Sequence, residues 1–457
     1  MGFLRKTQFS AIFIFYLVSS KMLIDYRIQN FKSFNGPQFL SLLASSSTRE
    51  NYNAKNVIEV SEHSIGSVVK SAAIFGPNAS GKSNLSDSIY SLKLIVLNSL
   101  KSIDSDYVKS AIPFAIKSNY YDIPTEYEVT FLVDGIIYRY GLSIVDRIIS
   151  EEWLYQTISK ESMLFHRTGQ RVKFSLRSFP EAKMFTKKDG EDYLLLQTKE
   201  TVPFVSVLSQ FDSKVSSVVI EWFRDLNVIT GVSDDGVMEF AIDLYQEDEQ
   251  FKSWALDILS SMQIQGIEVI EEDPVFPDAS TFPELEAVAR KIEAMMRENS
   301  YKKKKIRVIK ECDGKGYLLP VELESDGTKR VIYFLGALYD TIVNDKVLVV
   351  DEFDSKLHTL LSKYLINVFH ENSSGRSQLI VTCHDTNLLS RDIFRRDQIW
   401  FVDKNEGHES ELYSLLEYKE YYTRKDNNYS KDYLAGKYGA IPLFSSFNEL
   451  EEACRDE

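Results

Sequence analysis

The segment Gly76–Ser83 constrains the fold of this chain more than any other stretch. It reads GPNASGKS and fits the phosphate-binding pattern G-x-x-x-x-G-K-[ST]. The apolar run Val68–Phe75 before it predicts a strand, and the apolar residues of Leu85–Val96 recur at three- and four-residue steps, which predicts a helix. A glycine- and serine-rich turn can match the pattern by chance, but the flanking strand and helix argue against this. We therefore predict a P-loop.

The P-loop residues expected to contact a nucleotide are Gly76, Pro77, Asn78, Ala79, Ser80, Gly81, Lys82, Ser83 and Asn84. Glycines let the backbone curl until several N–H groups point inward, and the following helix presents its positive end to the phosphates. We expect Lys82 to reach the β- and γ-phosphates of ATP and the Ser83 hydroxyl to ligate Mg²⁺.

Length and composition suggest a folded protein of two or three structural units, since the chain has 457 residues and is 44% hydrophobic. A net charge of −14 argues against a uniformly basic surface for coating DNA, although a local basic groove remains possible. The cysteines Cys312, Cys383 and Cys454 show no C-x-x-C spacing, so neither a disulfide framework nor a zinc site is indicated. We expect a cytoplasmic protein.

The N-terminal residues 1–21 form a separate case. Their apolar run AIFIFYLV follows Arg5 and Lys6 and resembles the core of a signal peptide, but it is too short to span a bilayer. Because Met22 opens a stretch that reads as a first strand, we interpret residues 1–21 as a disordered extension or a mis-assigned start. A membrane-tethering segment is the alternative, and we expect no membrane association.

We predict a first ATPase lobe over residues 22–150 that is rich in β-structure. Residues 23–34 alternate apolar and polar side chains, which suggests an early strand pair. The segment 126–145 is predicted to be a β-hairpin with its turn at Asp134-Gly135.

Residues 151–310 are predicted to form an inserted, mainly helical lid or arm. Within it, Pro283–Asn299 has apolar residues at helical spacing, and Tyr301–Arg307 reads YKKKKIR. We interpret the basic run Lys302–Lys305 as a solvated face or loop, with contact to a nucleic-acid backbone as the alternative.

The ATPase pattern resumes in a second lobe over residues 311–442, followed by a tail at 443–457. Segment 323–341 predicts a helix that begins after a small polar turn. The apolar runs 346–354 and 377–383, separated by a helix at 356–369, are typical of buried parallel strands. The predicted fold class is thus α/β: a P-loop NTPase with a β-rich first lobe and an inserted lid.

Each of the two apolar runs ends in candidate catalytic residues. Asp351 closes the first run and is expected to hold Mg²⁺, often through water, while Glu352 is expected to orient and deprotonate the attacking water. His384 closes the second run and could contact the γ-phosphate or the water. Taken singly, these residues have other interpretations. Asp351 and Glu352 would then be an acid pair at the start of a helix, and His384 a strand-end histidine without a catalytic role.

The motifs GPNASGKS, LESDGT, VLVVDEFD and VTCHD, in this order, resemble the ATPase heads of the ABC/SMC/RecF superfamily. The details FGPNASGKSNL, DEFDSKLH and YLAGKYGAIP (433–442) are most similar to RloA-like, OLD-type bacterial ATPases of the AAA family that are associated with phage defence. The resemblance implies a fold of the ABC-ATPase head type. It covers about residues 22–150 and 311–442 and little of the insertion.

The same resemblance implies that ATP is sandwiched between two subunits. Ser325 and Gly327 would form the signature motif that binds the γ-phosphate held by the partner subunit. Asp354 and Ser355 would lie at the dimer seam and contact the nucleotide there, and His384 would be the switch histidine.

Departures from the family pattern limit what the resemblance implies. The signature reads SDGT rather than LSGGQ, and no glutamine loop is identified, which disfavours a transporter engine. Only a short tail follows Pro442, so we expect any TOPRIM-type nuclease effector to be a separate protein. The favoured function is an ATPase that senses infection or controls a toxic effector; the alternative is a DNA-repair or DNA-clamping ATPase of the RecF/SMC type.

Overall fold

The computed structural model describes residues 21–46, 55–60, 65–101, 107–116, 122–211, 213–231, 235–272, 302–373, 375–418 and 428–442. The predicted helix at Pro283–Asn299, the extension 1–20 and the tail 443–457 lie outside these residues.

In chain order, the described residues form the following strands and helices. The strands are β1 (Lys21–Gln29), β2 (Gln38–Ser41), β3 (Val57–Val60), β4 (Gly66–Val69), β5 (Ser71–Phe75), β6 (Thr125–Val133), β7 (Ile136–Val145), β8 (Ile148–Thr157), β9 (Glu161–Thr168), β10 (Arg171–Phe174), β11 (Thr186–Asp189), β12 (Asp192–Leu195), β13 (Leu226–Ile229), β14 (Gly266–Glu272), β15 (Lys303–Cys312), β16 (Lys315–Pro320), β17 (Val347–Val350), β18 (Gln378–Thr382), β19 (Ile399–Lys404) and β20 (Ser410–Ser414). The α-helices are α1 (Lys82–Asn98), α2 (Phe204–Leu208), α3 (Lys214–Asp225), α4 (Asp235–Glu247), α5 (Glu249–Leu259), α6 (Asp326–Val343), α7 (Thr359–Asn372) and α8 (Tyr429–Leu434).

A central sheet with the strand order β13-β17-β18-β5-β19-β20 carries the predicted site. Its neighbouring strands are parallel except for β20, which runs antiparallel to β19. Every residue of β5, β17 and β18 is buried, which explains why these strands are apolar without alternation. Because the strands are parallel, their carboxyl ends meet at one edge.

Alternate residues of the central strands enter two different hydrophobic cores. In β5, Ala72 and Ile74 pack with the antiparallel lobe, whereas Ala73 and Phe75 pack with residues of α6 and α7. The predicted single strand at 68–75 is in fact two strands. β4 pairs with β3, β5 joins the central sheet, and the chain passes between them at Lys70, whose ammonium donates to the Ser373 carbonyl.

The β-rich first lobe is an antiparallel sheet with the order β11-β12-β10-β9-β8-β7-β6-β1-β2. Of the early strand pair predicted over residues 23–34, only β1 lies in that stretch; its antiparallel neighbour β2 begins later, at Gln38. The predicted hairpin is also present, as β6 and β7, and its turn residues Asp134 and Gly135 have φ angles of 48° and 77°. Positive φ at both turn positions gives the twist that a two-residue hairpin requires.

The predicted lobe boundary at residue 150 is wrong. It cuts through β8, which pairs with β7 from Val145 to Ile137, and β9 to β12 continue the same sheet. The alternation of buried and exposed side chains that marks the lobe simply continues to Leu195. The helices predicted for the insertion occur later, as α2 to α5, and the same stretch also supplies β13 to the central sheet.

The basic run forms part of a strand rather than a loop. β15 lies between β14 and β16, with Ile306 and Val308 buried. Lys304 pairs with Asp243 at 2.7 Å, and Lys305 pairs with Glu272 at 2.6 Å. The acidic partners raise the pKa of both lysines. Lys304 and Lys305 are therefore compensated within the chain, whereas Lys302 and Lys303 are exposed.

A buried glutamine joins the two sheets. Gln378 at the start of β18 accepts from the Leu23 N–H at 2.6 Å and donates to the Leu23 carbonyl at 2.9 Å. The antiparallel lobe is thus fixed against the central sheet near its amino-terminal edge. Across the described residues, no helix has both the length and the apolar character needed to cross a membrane.

Candidate functional site

A cavity of about 910 Å³ lies at the carboxyl edge of the central sheet, a volume within the range of small-molecule sites. It is lined by Asn78, Ala79, Ser80, Gly81, Lys82, Ser83, Asn84, Glu352, Asp354, Ser355, His384, Asp385 and Lys404. The structure thus brings most of the predicted site residues together from three separate strand ends. There is no glutamine among the described residues that line it.

The two glycines of the P-loop are required by close packing. A Cβ on Gly76 would lie 2.2 Å from the Val402 carbonyl oxygen, and one on Gly81 would lie 2.3 Å from the Ser410 hydroxyl. Gly81 also has a φ of 114°, a conformation that side chains disfavour. The loop therefore curls against β19 and β20.

Lys82 is buried and turned back into its own loop. Its ammonium donates to the carbonyls of Gly76 at 2.7 Å and Pro77 at 3.0 Å. Burial lowers its pKa, and the nearby Asp351 opposes that shift. The ammonium thus lies inside the curl where phosphate oxygens would bind, while Ser83 is exposed to the cavity.

The two acids after β17 have different surroundings. Asp351 is buried and accepts from the Thr382 hydroxyl at 2.6 Å; it does not line the cavity. Glu352 lines the cavity, and its backbone has a φ of 49°, in the left-handed region. This backbone is held by the Thr382 hydroxyl, which accepts from Glu352 N–H at 2.7 Å, and by Arg330, which donates to the Glu352 carbonyl at 2.6 Å. Asp351 is thereby fixed behind the cavity wall, and Glu352 is turned toward the cavity.

Asp354 acts within its own chain. One carboxylate oxygen accepts from the His384 N–H at 2.8 Å and from the Asp385 N–H, so it fixes the loop after β18. Asp354 is 8% exposed in the single chain and lines the cavity, and its predicted place at the seam between subunits stays a prediction. Its other oxygen is buried and has no hydrogen-bond partner among the described residues.

The predicted signature residues do not line the cavity. Ser325 caps α6, its hydroxyl accepting from the Thr328 N–H at 3.1 Å. Gly327 packs against the segment after the acid pair, where a Cβ would lie 2.4 Å from the Lys356 carbonyl oxygen. The helix start is exposed at Ser325 and Asp326, so this chain presents it outward and not to its own P-loop.

The residues present fit a nucleotide with Mg²⁺. Curled N–H groups and Lys82 suit phosphate oxygens, while the Ser83 hydroxyl and the carboxylate of Asp351 are oxygen ligands of the kind Mg²⁺ takes. The buried Ser80 hydroxyl, which has no hydrogen-bond partner among the described residues, adds a donor within the loop. These residues would hold the nucleotide and its metal.

Several contributing residues were missed by sequence reasoning. Thr382, Arg330, Ser33 and Ser410 act through tertiary contacts that no local pattern encodes. The Ser410 hydroxyl donates to the Ser80 carbonyl and lies 2.7 Å from the Ser33 hydroxyl, which supports the loop from behind. The position of Lys404 could have been found from the sequence. It ends an apolar strand, and Glu352 and His384 also come shortly after apolar strands.

The motif YLAGKYGAIP packs on the β19–β20 hairpin. The Ala440 N–H donates to Asp403 at 2.7 Å, and the hydroxyls of Tyr413 and Tyr418 donate to the Tyr438 carbonyl at 2.8 and 2.9 Å. This segment therefore stabilises the strand that borders the P-loop.

Fold and site together define an α/β protein with a P-loop at the carboxyl edge of a parallel sheet, as the sequence predicted. A family model described as "AAA domain, putative AbiEii toxin, Type IV TA system" matches residues 71–390, more than half of the chain. The chain belongs to this AAA family. The narrower RloA-like or OLD-type assignment stays a prediction.

The chain is similar to several solved structures. An SMC head domain from Thermotoga maritima is 16% identical, with coverage of 86% of this chain and 98% of that one and a TM-score of 0.40. A SmcHead bound to the C-winged helix domain of ScpA is 14% identical, with 86% and 98% coverage and a TM-score of 0.43. A Smc head with an extended coiled coil, bound to a ScpA domain derived from Pyrococcus furiosus, is 13% identical, with 86% and 96% coverage and a TM-score of 0.37. No curated protein matches the chain.

Proposed function

We propose that this protein binds and hydrolyses MgATP in the cavity, pairs with a second copy around the nucleotide, and controls a separately encoded toxic effector in bacterial defence against phage. The convergence of Lys82, Glu352 and His384 on one cavity carries the ATPase part of this proposal. The family description associates such domains with a toxin–antitoxin system, which supports a link to toxicity but names no separate effector.

The proposed chemistry assigns different tasks to the residues of the cavity. The loop N–H groups and Lys82 bind the phosphates, while Ser83 and Asp351 hold the metal. Mg²⁺, when bound, would supply neutralisation of the phosphate charge. Glu352 orients the water and accepts its proton, and His384, whose loop is fixed by Asp354, lies where it can contact the terminal phosphate.

Glu352→Gln tests the division of labour between the acids. This variant keeps the side-chain shape but removes the base, so we expect it to bind MgATP at parental affinity and to hydrolyse it at least 100-fold more slowly. Asp351→Asn should instead weaken Mg²⁺-dependent binding, and Lys82→Ala should abolish tight binding. Calorimetry measures the affinity for MgATP, and phosphate release measures the rate of hydrolysis. Parental hydrolysis by Glu352→Gln, or by Lys82→Ala, would contradict the proposed site.

Pairing is supported by the exposed start of α6. Ser325 faces outward, and the apolar side chains of Leu323 and Leu360 on the adjoining segments are 72% and 69% exposed. Ser325→Arg should leave nucleotide binding by one subunit intact and prevent ATP-dependent pairing, because a bulky cation replaces a small donor. Sedimentation of the Glu352→Gln protein with and without Ser325→Arg gives the comparison. Equal pairing would show that this helix start is not part of the interface.

The alternative is a DNA-clamping or DNA-repair ATPase of the RecF/SMC type. It calls for a basic surface, and the pairing of Lys304 and Lys305 with acids leaves only Lys302 and Lys303 of the run Lys302–Lys305 to contribute to one. DNA-stimulated hydrolysis that weakens with salt would favour this alternative. Co-purification of a TOPRIM-type nuclease or another toxic protein from the native host would favour the defence function.

A further inference from the structure

Lys404 lies on the far side of the P-loop from the acids. In the central sheet, β17 and β18 lie on one side of the P-loop strand β5, and β19, which ends at Lys404, lies on the other. Lys404 nevertheless lines the same cavity as the P-loop, Glu352 and His384. The cavity therefore has a cationic side chain on the β19 side of the loop, across from Glu352 and His384.

The position of Lys404 is set by the backbone. Phe401 pairs with Phe75 just before the P-loop, and the next carbonyl, that of Val402, is the atom that a Gly76 Cβ would meet at 2.2 Å. On the partner strand, Ser410 N–H donates to the Ser33 carbonyl at 2.8 Å, and its hydroxyl donates to the Ser80 carbonyl. Lys404 pairs with Ser410 across the hairpin, so its Cα is held beside the loop.

The charge around the cavity leaves Lys404 available for a ligand. Glu352, Asp354 and Asp385 line the cavity together with the basic side chains Lys82 and Lys404. Lys82 is bound to its own loop in this structure. In the described part of the chain, the Lys404 ammonium makes no ion pair or hydrogen bond, and the adjacent Asp403 carboxylate is bound to backbone N–H groups. A polyphosphate entering this acidic surrounding needs a second cation.

We propose that Lys404 binds the α- or β-phosphate of the nucleotide, that is, the phosphates that remain on the product ADP. Glu352 and His384 mark the end of the cavity where the terminal phosphate is cleaved, and Lys404 lies on the opposite side of the P-loop strand. This inference rests on the proposed ATPase function and adds a nucleotide-binding residue to it.

Lys404→Met tests the role, since methionine keeps most of the apolar stem and loses the charge. Titration calorimetry should show that the affinities for MgADP and MgATP both fall by about tenfold, as expected for the loss of one charge-assisted contact. The hydrolysis rate at saturating ATP should stay within about twofold of the parental rate, because the contact is the same before and after cleavage. Lys404→Arg should retain most of the affinity.

The matched control is Lys315→Met, which removes an exposed lysine at the β15–β16 turn and should change neither affinity. Unchanged MgADP affinity in Lys404→Met would overturn the inference, and so would a loss confined to MgATP, because that would place the lysine at the terminal phosphate. If the parental protein binds neither nucleotide, the proposed ATPase function itself fails. If the parental protein binds both and Lys404→Met binds them equally well, only the role of Lys404 fails.

Discussion

Acid should destabilise this protein through one buried histidine. His370 lies in α7, and its Nε2 is 2.8 Å from the hydroxyl of Ser71 at the start of β5, far from the P-loop end of that strand. The side chain is 2% exposed. Burial, reinforced by the nearby charges of Lys55 and Lys70, lowers its pKa to about 3. His370 is therefore neutral in the folded protein at neutral and mildly acidic pH.

The sign and size of the effect follow from proton linkage. An unfolded histidine has a pKa of about 6.5, so below that pH the unfolded chain binds a proton that the folded chain excludes. The free energy of unfolding therefore falls as pH decreases through 6.5 toward 3. Between pH 7.5 and pH 5.0 the loss from this one group is about 2 kcal/mol.

Urea unfolding at half-unit steps from pH 7.5 to 5.0, followed by tryptophan fluorescence, measures this loss. His370→Gln removes the titrating group and keeps an amide that can reach Ser71. It should be less stable than the parent at pH 7.5 but lose about 2 kcal/mol less on acidification. His408→Asn is the control, because His408 is exposed at a position with a φ of 59° that asparagine tolerates. If the parent and His370→Gln lose the same free energy, the histidine is not the source of the acid sensitivity.

Two further predictions concern buried polar contacts. Glu152→Ala should lower the free energy of unfolding by about 3–5 kcal/mol, because it leaves the fully buried Arg167 unpaired, and a loss below about 1 kcal/mol in urea unfolding would contradict this. Thr382→Val should reduce ATP hydrolysis by about tenfold or more, because the hydroxyl that joins Asp351 to the Glu352 backbone is lost. Thr382→Ser keeps that hydroxyl and should stay close to the parent, so equal phosphate-release rates in the valine and serine variants would refute the assignment.

The features that were predictable from the sequence are those that depend on residues close together in the chain. The strands β5, β17 and β18, the helix α1 and the turn at Asp134-Gly135 were all predictable, because each depends on a short pattern of side chains. Such patterns fix the period of burial and the backbone angles that a turn needs. The parallel arrangement then follows from apolar runs separated by helices.

Other features were inaccessible because their partners are distant in the sequence. The lobe boundary was misplaced because β8 to β12 continue a sheet whose first strand starts at Lys21. The basic run looked available for nucleic acid until the fold placed Asp243 and Glu272 beside it. Local alternation shows that a segment is a strand, but it does not show which sheet the strand joins.

The candidate site divides in the same way. The sequence by itself determined the P-loop, the acid pair and His384, because each occupies a recognisable place at a strand end. Only the tertiary structure decided that Asp351 lies behind the wall while Glu352 faces the cavity, that Asp354 fixes the His384 loop, and that Lys404 joins the site. These outcomes depend on which strands are neighbours in the sheet, and strand order is set by packing over the whole chain rather than by any one segment.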